Sequence, residues 1–302
     1  MNKLIFFLIS SHLVYCQINP LDVEIVRDKF GVPHIFGKTD ADVAYGLAWA
    51  NAEDDFETIQ SVYLAGSSIL SKRLGNKGIG ADFLSQFIGS SELFDSLYEK
   101  KISPEYKKII QAYANGLNSY AKKYPEEILI SELFPITPKK MMLYAQLQLF
   151  ISSRGDYWIK KILDGDIRYE VNFSNDRGSN AFAFNSSKTE DGKTYLAINT
   201  HQPLEGPVSW YEVHLCSEEG TNIIGALFPG SPNILIGANK YLGWAHTVNY
   251  PDKTDVFKLE MEDKKKEYYK FDNEVLKLNT YKAKLNYKLL GLFNIKINKK
   301  FY

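Results

Sequence analysis

The spacing of apolar residues changes near residue 177, and this change constrains the fold more than any other feature of the chain. Between residues 40 and 165, apolar side chains recur at helical spacing. From residue 177 onward, short apolar runs alternate with Gly, Pro and Asn, which is typical of short strands joined by turns. The sequence therefore predicts an α+β protein, in which a helical N-terminal part is followed by a β-sheet part.

Capping residues indicate where three helices begin. Thr39, Ser103 and Thr137 each precede a run at helical spacing, and the last two are followed directly by proline. Ser and Thr side chains accept hydrogen bonds from first-turn N–H groups, and proline is favoured at the first helical position. We therefore expect helices to start after these three residues.

The strand pattern predicts two hairpins and several further strands. Alternating apolar and polar residues at 22–36, interrupted by Gly-Val-Pro, indicate a first hairpin ahead of the helices. Ser179–Asn185 and Lys193–Asn199 flank a Glu-Asp-Gly turn and indicate a second hairpin. The remaining strand-like runs are Tyr211–Cys216, Asn222–Phe228, Ile234–Gly237, Leu242–Thr247 and residues 292–302.

Charge composition bounds the choice of partners. The 302 residues include 36 basic and 36 acidic side chains, and the formal net charge is zero. A neutral balance gives no electrostatic reason to expect nucleic acid or an anionic membrane surface as a partner. We therefore expect neither.

Residues 1–16 read as a secretory signal peptide. Lys3 precedes the apolar run Leu4–Ile9, which is far shorter than the roughly 20 residues of a transmembrane helix. The bulky residue before Cys16 disfavours a lipid anchor there, so we expect ordinary cleavage and a periplasmic or extracellular protein. Removal of the peptide would leave Cys216 as the only cysteine, which excludes an internal disulfide.

Common catalytic motifs are absent, and Ser179 is the candidate that remains. The chain has no Gly-x-Ser-x-Gly, His-Glu-x-x-His or phosphate-binding glycine loop, and its histidines show no zinc spacing. A serine nucleophile needs a base. Cleavage after Gly178 would free the α-amine of Ser179, whose ordinary pKa of about 7.7–8.0 suits that role. Gly-Ser-Asn is also common in plain turns, so the residues alone leave both interpretations open.

Residues 178–182, Gly-Ser-Asn-Ala-Phe, resemble the start of the β chain in the penicillin acylase family of N-terminal-nucleophile hydrolases. Other segments resemble family motifs in the same order, so that the resemblance covers residues 22–257. These segments are residues 23–28, 31–35, 45–55, 199–201, 229–232, 237–239 and 244–247. Several ordered motifs are more specific than any one of them.

The resemblance implies a fold, a processing event and a set of catalytic residues. It implies an αββα-type fold, here incomplete, with an α-chain-like region at 17–178 and a β-chain-like region at 179–302. The chain would cleave itself between Gly178 and Ser179, and Ser179 would then be the nucleophile with its own amine as base. His201 would orient Ser179 or its amine, and the backbone N–H of Val248 would donate to the oxyanion.

The resemblance also implies a substrate class and a metal. The substrate would be a small N-acyl compound, no cofactor would be needed for catalysis, and the two portions would stay associated after cleavage. Asp252, Thr254 and Asp255 fall in the family's calcium loop and could offer hard oxygen ligands, although the same spacing occurs in plain turns. Family members have a further oxyanion donor beyond residue 302, so we expect a truncated chain whose final strand lacks a neighbour.

Two alternatives to a self-processing acylase remain at this point. One is a non-catalytic secreted fragment or binding module of the same ancestry. The other is an ordinary serine hydrolase that uses Ser179 and His201 without cleavage, for which the sequence shows no evident acidic partner.

Overall fold

A computed structural model of the protein describes residues 18–165, 178–248, 254–289 and 293–302. It contains helices and several sheets, which confirms the predicted α+β class. The signal-peptide prediction falls on residues outside these ranges. None of the described helices combines the length and the apolarity needed to cross a membrane.

The helices of the described chain precede most of its strands. The helices are α1 Asp40–Gly66, α2 Ser71–Leu74, α3 Ile79–Phe87, α4 Ser90–Lys101, α5 Pro104–Lys123, α6 Pro138–Ser152 and α7 Gly155–Leu163. The strands are β1 Val23–Arg27, β2 Pro33–Gly37, β3 Ser179–Phe184, β4 Tyr195–Thr200, β5 Tyr211–Ser217, β6 Asn222–Leu227, β7 Ile236–Ala238, β8 Gly243–Trp244, β9 Glu260–Met261, β10 Tyr268–Phe271, β11 Glu274–Lys277, β12 Tyr281–Leu289 and β13 Phe293–Phe301.

All three predicted helix starts are confirmed. The Thr39 side chain accepts a hydrogen bond from the Asp42 N–H at 3.1 Å, and the Asp42 carboxylate accepts one from the Thr39 N–H at 3.0 Å. This reciprocal pair is a capping box at the start of α1. Ser103 and Thr137 cap α5 and α6 through their side-chain oxygens, which accept hydrogen bonds from the N–H groups of Tyr106 and Lys140.

The main sheet has six strands in the order β1-β2-β5-β6-β7-β8. The predicted first hairpin forms its edge, and β2 pairs with β5 in parallel, whereas the other neighbours are antiparallel. The sheet therefore combines strands from both sides of the Gly178–Ser179 bond. The strands predicted at 234–237 and 242–247 are present only as the shorter β7 and β8.

The core lies where α1 packs against this sheet and against α5. Leu47 and Tyr63 of α1, Leu117 of α5, and Ile35 and Val213 of the sheet are all fully buried in one cluster. A Cβ at Gly116 would lie 2.5 Å from the Tyr45 carbonyl oxygen, so glycine at this position allows α5 to approach α1 closely.

The second predicted hairpin is confirmed as β3 and β4, which pair with Ser179 opposite Thr200. In the described chain these two strands form a sheet of their own. Phe182 and Phe184 are 57% and 47% exposed, so the apolar side chains of this hairpin are largely uncovered here.

The expectation that the final strand lacks a neighbour is wrong. β13 pairs antiparallel with β12 along its whole length, because the preceding segment also forms a strand that sequence reasoning did not predict. The side-chain amide of Gln86 in α3 exchanges two hydrogen bonds with the backbone of Lys284, at 3.1 and 2.8 Å. The Ser71 hydroxyl oxygen also lies 3.1 Å from the Asn286 carbonyl oxygen. These contacts join the β12–β13 hairpin to the helical layer.

Candidate active site

Ser179 is the first residue of β3, and its hydroxyl lies against the carbonyl group that precedes it. Its Oγ donates a hydrogen bond to the Gly178 carbonyl oxygen at 2.6 Å. The Ser179 residue is half-buried. The hydroxyl is thus adjacent to the peptide group whose C–N bond the sequence predicts to break.

His201 reaches the same peptide group from the neighbouring strand. It follows Thr200, the residue opposite Ser179, so the antiparallel register brings its ring to the start of β3. A Cβ built on Gly178 would lie 3.5 Å from His201 Nδ1, which makes the imidazole a direct neighbour of Gly178. The structure therefore brings Gly178, Ser179 and His201 together, as the sequence predicts.

Asn180 contacts the other nitrogen of the imidazole. Its Nδ2 lies 3.3 Å from His201 Nε2. When the amide donates this hydrogen bond, Nε2 is the acceptor and the neutral ring carries its proton on Nδ1, the nitrogen nearer Gly178. Asn180 thus contacts His201 in addition to pairing with Asn199 in the hairpin. The sequence did not predict the contact with His201.

No acidic side chain forms a hydrogen bond or an ion pair with His201 within the described ranges. A Ser–His–acid triad needs a carboxylate that orients the imidazole. The geometry thus offers no support for a hydrolase that uses Ser179 and His201 without cleavage.

Val248 lies beyond β8, and the described residues show no hydrogen bond from it to Ser179 or His201. It is 45% exposed. The strand before it, β8, does adjoin the β3–β4 hairpin, because a Cβ at Gly243 would lie 2.7 Å from the Leu196 side chain of β4. The role of its N–H in the oxyanion hole stays a prediction.

The predicted calcium ligands fall at the edge of what is described. Asp252 lies outside the described residues, Thr254 is half-buried and Asp255 is exposed. Among the described residues, no three His, Cys, Asp or Glu side chains group together as metal ligands. The described residues thus add no support for calcium, which stays a prediction.

A buried polar cluster fixes the Pro-Gly-Ser-Pro segment at 229–232 to α1. The Tyr63 hydroxyl donates to the Gly230 carbonyl, and the Gly230 N–H donates to Asn51 Oδ1 at 3.1 Å. Tyr113 also donates to Asn51 Oδ1, at 3.2 Å. Burial raises the pKa of Tyr63 well above its ordinary value, so the phenol remains a donor. Gly230 has φ +80°, which only glycine adopts without strain.

The sequence identifies residues 229–232 as a family motif, but it does not predict the hydrogen bonds that join this segment to α1. Asn51, a polar residue between two alanines in the apolar run of α1, is the signal that could have pointed to the cluster.

Comparison with known proteins finds one matching family and relatives that are named as acylases. The family model for penicillin amidase matches residues 22–290. The acyl-homoserine lactone acylase PvdQ of Pseudomonas fluorescens strain Pf0-1 is 23% identical over 287 residues, covering 85% of this chain and 37% of that protein. The acyl-homoserine lactone acylase QuiP of the same strain is 21% identical over 290 residues, covering 78% of this chain and 35% of that protein.

These curated relatives are much longer proteins, and the chain spans less than two fifths of the length of each. Among solved structures, the thermostable penicillin G acylase from Alcaligenes faecalis aligns at 16% identity with a TM-score of 0.37. That alignment covers 49% of this chain and 93% of that one.

Proposed function

The chain belongs to the penicillin amidase family, and on that premise we propose that it is an acylase precursor that cleaves itself before Ser179 and then hydrolyses linear amides. The observation that carries the proposal is the convergence of Gly178, Ser179 and His201 at one end of the β3–β4 hairpin. The Ser179 hydroxyl is 2.6 Å from the Gly178 carbonyl oxygen, and the His201 ring borders Gly178.

Self-cleavage begins with attack of Ser179 Oγ on the Gly178 carbonyl carbon. The C–N bond of the Gly178–Ser179 peptide breaks, and the proton from the hydroxyl passes to the departing nitrogen, leaving an ester. Water then hydrolyses the ester, which leaves a carboxylate on Gly178 and a free Ser179 with its own α-amine. His201 would move a proton in this sequence, and general acid–base assistance contributes about 10²–10⁴ in rate.

Amide hydrolysis by the freed Ser179 uses the same atoms. The α-amine accepts the hydroxyl proton as Oγ attacks the substrate carbonyl, and that proton passes to the amine that leaves. Water then releases the carboxylic acid from the acyl-enzyme. The N–H of Val248 would donate to the oxyanion, and removal of one such donor typically costs about 10²–10³ in rate.

N-acyl-homoserine lactones are the first substrates to test. The curated relatives described above are named acyl-homoserine lactone acylases, which supports a substrate with an apolar acyl group on a small amine. Simple N-acyl amino acids and penicillins share that amide and form the second set.

We also propose export through residues 1–16 and a calcium ion at residues 252–255. Export rests on Lys3 and the apolar run Leu4–Ile9. Calcium rests on the two Asp side chains and on the family resemblance. N-terminal sequencing of secreted protein tests the first, with Gln17 as the expected start. Thermal melting with calcium and with a chelator tests the second.

The activity test measures the amine released from each N-acyl compound by the wild-type chain and by Ser179→Ala. We expect release only with the wild type, together with mass labelling of its Ser179 by an acylating reagent. Equal release by both proteins would show that another residue or a contaminant does the chemistry, and the proposal would fail.

A non-catalytic binding module is the second candidate, and one observation favours it. The apolar side chains of the β3–β4 hairpin are largely exposed within the described chain, which suits a surface that binds another molecule. This candidate predicts a folded chain that shows neither cleavage nor labelling of Ser179.

A further inference from the structure

Two histidines far apart in sequence meet on the six-stranded sheet. His34 lies on β2 and His214 lies opposite it on β5, in the parallel pairing that joins the first hairpin to the rest of the sheet. Their Nδ1 atoms are 3.0 Å apart, and their rings meet edge to face with centroids separated by 5.1 Å. Spacing along the chain cannot show this pair, because 180 positions separate its members.

The outer nitrogen of each ring faces an oxygen atom. His214 Nε2 lies 2.9 Å from Asn222 Oδ1, an acceptor that fixes the proton on Nε2. His34 Nε2 lies 3.9 Å from the Asp28 carboxylate. With its proton on Nε2, His214 presents the lone pair of Nδ1 to His34, whose Nδ1–H donates to it in the neutral pair. Movement of that proton to His34 Nε2, which faces Asp28, would direct both Nδ1 lone pairs at one point.

This is the arrangement that metal-binding histidines adopt. A ligating imidazole almost always donates its other N–H to a carboxylate, a carbonyl or water, which sets the tautomer and the ring orientation. Two nitrogens at about 2.0–2.1 Å from one ion lie roughly 2.9–3.4 Å apart for angles between square and tetrahedral. The observed separation of 3.0 Å falls inside that range.

We propose that His34 and His214 form a binding site for a divalent transition-metal ion, which their two Nδ1 atoms ligate. Imidazole ligands suit Zn²⁺, Cu²⁺ and Ni²⁺. The described residues offer no third His, Cys, Asp or Glu at this place. The His34 side chain is 29% exposed, so water can complete the coordination shell.

The ion would connect two strands of the sheet. His34 lies on β2, which precedes the proposed cleavage bond, and His214 lies on β5, which follows it. A bound ion would therefore stabilise the contact between the two portions, whether or not the chain is cleaved, and the inference does not depend on the proposed function.

The test is a titration of the untagged, chelator-stripped full chain with Zn²⁺ in a calorimeter. We expect one ion per chain. His34→Gln and His214→Gln should each weaken binding at least tenfold. Asn222→Ala should weaken it by about 10–100-fold, because the residue orients a ligand without touching the ion.

His246→Gln is the matched control, since this histidine is exposed and lies outside the pair. It should bind Zn²⁺ as the wild type does. Failure of the wild type to bind Zn²⁺, or equal binding by all the folded variants, would overturn the proposal.

A second measurement uses only the wild type, and it serves if circular dichroism shows that a variant does not fold. The paramagnetic resonance spectrum of Cu²⁺ on the wild type should show splitting from two imidazole nitrogens. A spectrum without nitrogen splitting would overturn the proposal without use of any variant.

Discussion

His201 borders Gly178 because of strand register alone. The pairing of Ser179 with Thr200 puts the next residue of β4 beside the peptide group that precedes β3. Asn180 contacts the far nitrogen of the ring and thereby limits its orientation. A one-residue change in register would reverse the face of every side chain and separate these groups.

We expect His201→Gln to slow self-cleavage by about 10²–10⁴, the usual contribution of a positioned acid or base. The measurement is the rate of appearance of the fragment that begins at Ser179, followed by mass spectrometry. The exposed Glu190→Gln, in the turn at the other end of the β3–β4 hairpin, serves as the control and should cleave at the wild-type rate. Equal rates for the wild type and His201→Gln would show that His201 takes no part in self-cleavage.

Asp82 is a fully buried carboxylate at the base of the β12–β13 hairpin. It accepts hydrogen bonds from the Leu70 N–H at 2.7 Å, from the Ser71 N–H at 3.0 Å and from the Ser71 hydroxyl. Burial raises its pKa above the ordinary value of 3.8, and the hydrogen bonds from Ser71 and Leu70 offset this only in part.

This shift predicts a pH dependence with a definite sign. Between 3.8 and the raised pKa, the folded chain binds more protons at Asp82 than the unfolded chain does, so the free energy of unfolding falls as the pH rises. Urea unfolding from pH 4 to pH 7 should show this fall in the wild type relative to Asp82→Asn. The exposed Glu190→Gln should follow the wild type, and a constant difference between wild type and Asp82→Asn would contradict the assignment.

At the scale of elements, the capping box at Thr39 sets the start of the longest helix. Thr39→Ala removes the side-chain acceptor for the Asp42 N–H, and we expect it to lower the free energy of unfolding by about 0.5–2 kcal/mol. Thr39→Ser keeps the acceptor and should remain close to the wild type. Denaturant melts of the three proteins measure the effect, and equal losses for Ala and Ser would show that the cap is not the cause.

Elements with local signals could be predicted from the sequence, and elements that depend on distant partners could not. Thr39, Ser103 and Thr137 cap their helices through bonds within one turn, so three residues suffice to predict each start. α4 has no such signal, because its cap position is Gly89 in a left-handed conformation with no side-chain bond. The prediction of a mostly helical region at 40–165 includes its residues, but no local signal gave the residues at which α4 begins and ends.

The same reasoning applies to the sites. The Gly178–Ser179 bond and His201 were predicted because the family motifs are contiguous in sequence. The pairing of β2 with β5 is parallel and joins residues some 180 positions apart, so no local pattern indicates it. The His34–His214 pair depends entirely on that pairing and could not be found from spacing.

At the scale of the whole molecule, the proposed cleavage bond does not divide the structure into separate bodies. The six-stranded sheet takes strands from both sides of the bond, and α1 contacts several later segments through side chains. The Ser217 hydroxyl donates to Asp40 Oδ1 at 2.6 Å, and the Tyr211 hydroxyl donates to Asp54 Oδ2 at 2.7 Å. Core side chains from both portions share one buried cluster.

We therefore expect the two fragments to remain associated after cleavage. They should elute together in gel filtration under native conditions, at the volume of uncleaved Ser179→Ala, and separate only in denaturant. Elution of the fragments at two different volumes without denaturant would show that this interface does not hold them.

Self-cleavage is best tested by the intact mass of the purified wild-type chain beside that of Ser179→Ala. We expect two wild-type fragments, one of them beginning at Ser179, and a single uncut mass for the variant. A folded wild-type chain of a single uncut mass would contradict self-cleavage, and fragments in both proteins would attribute the cut to another agent.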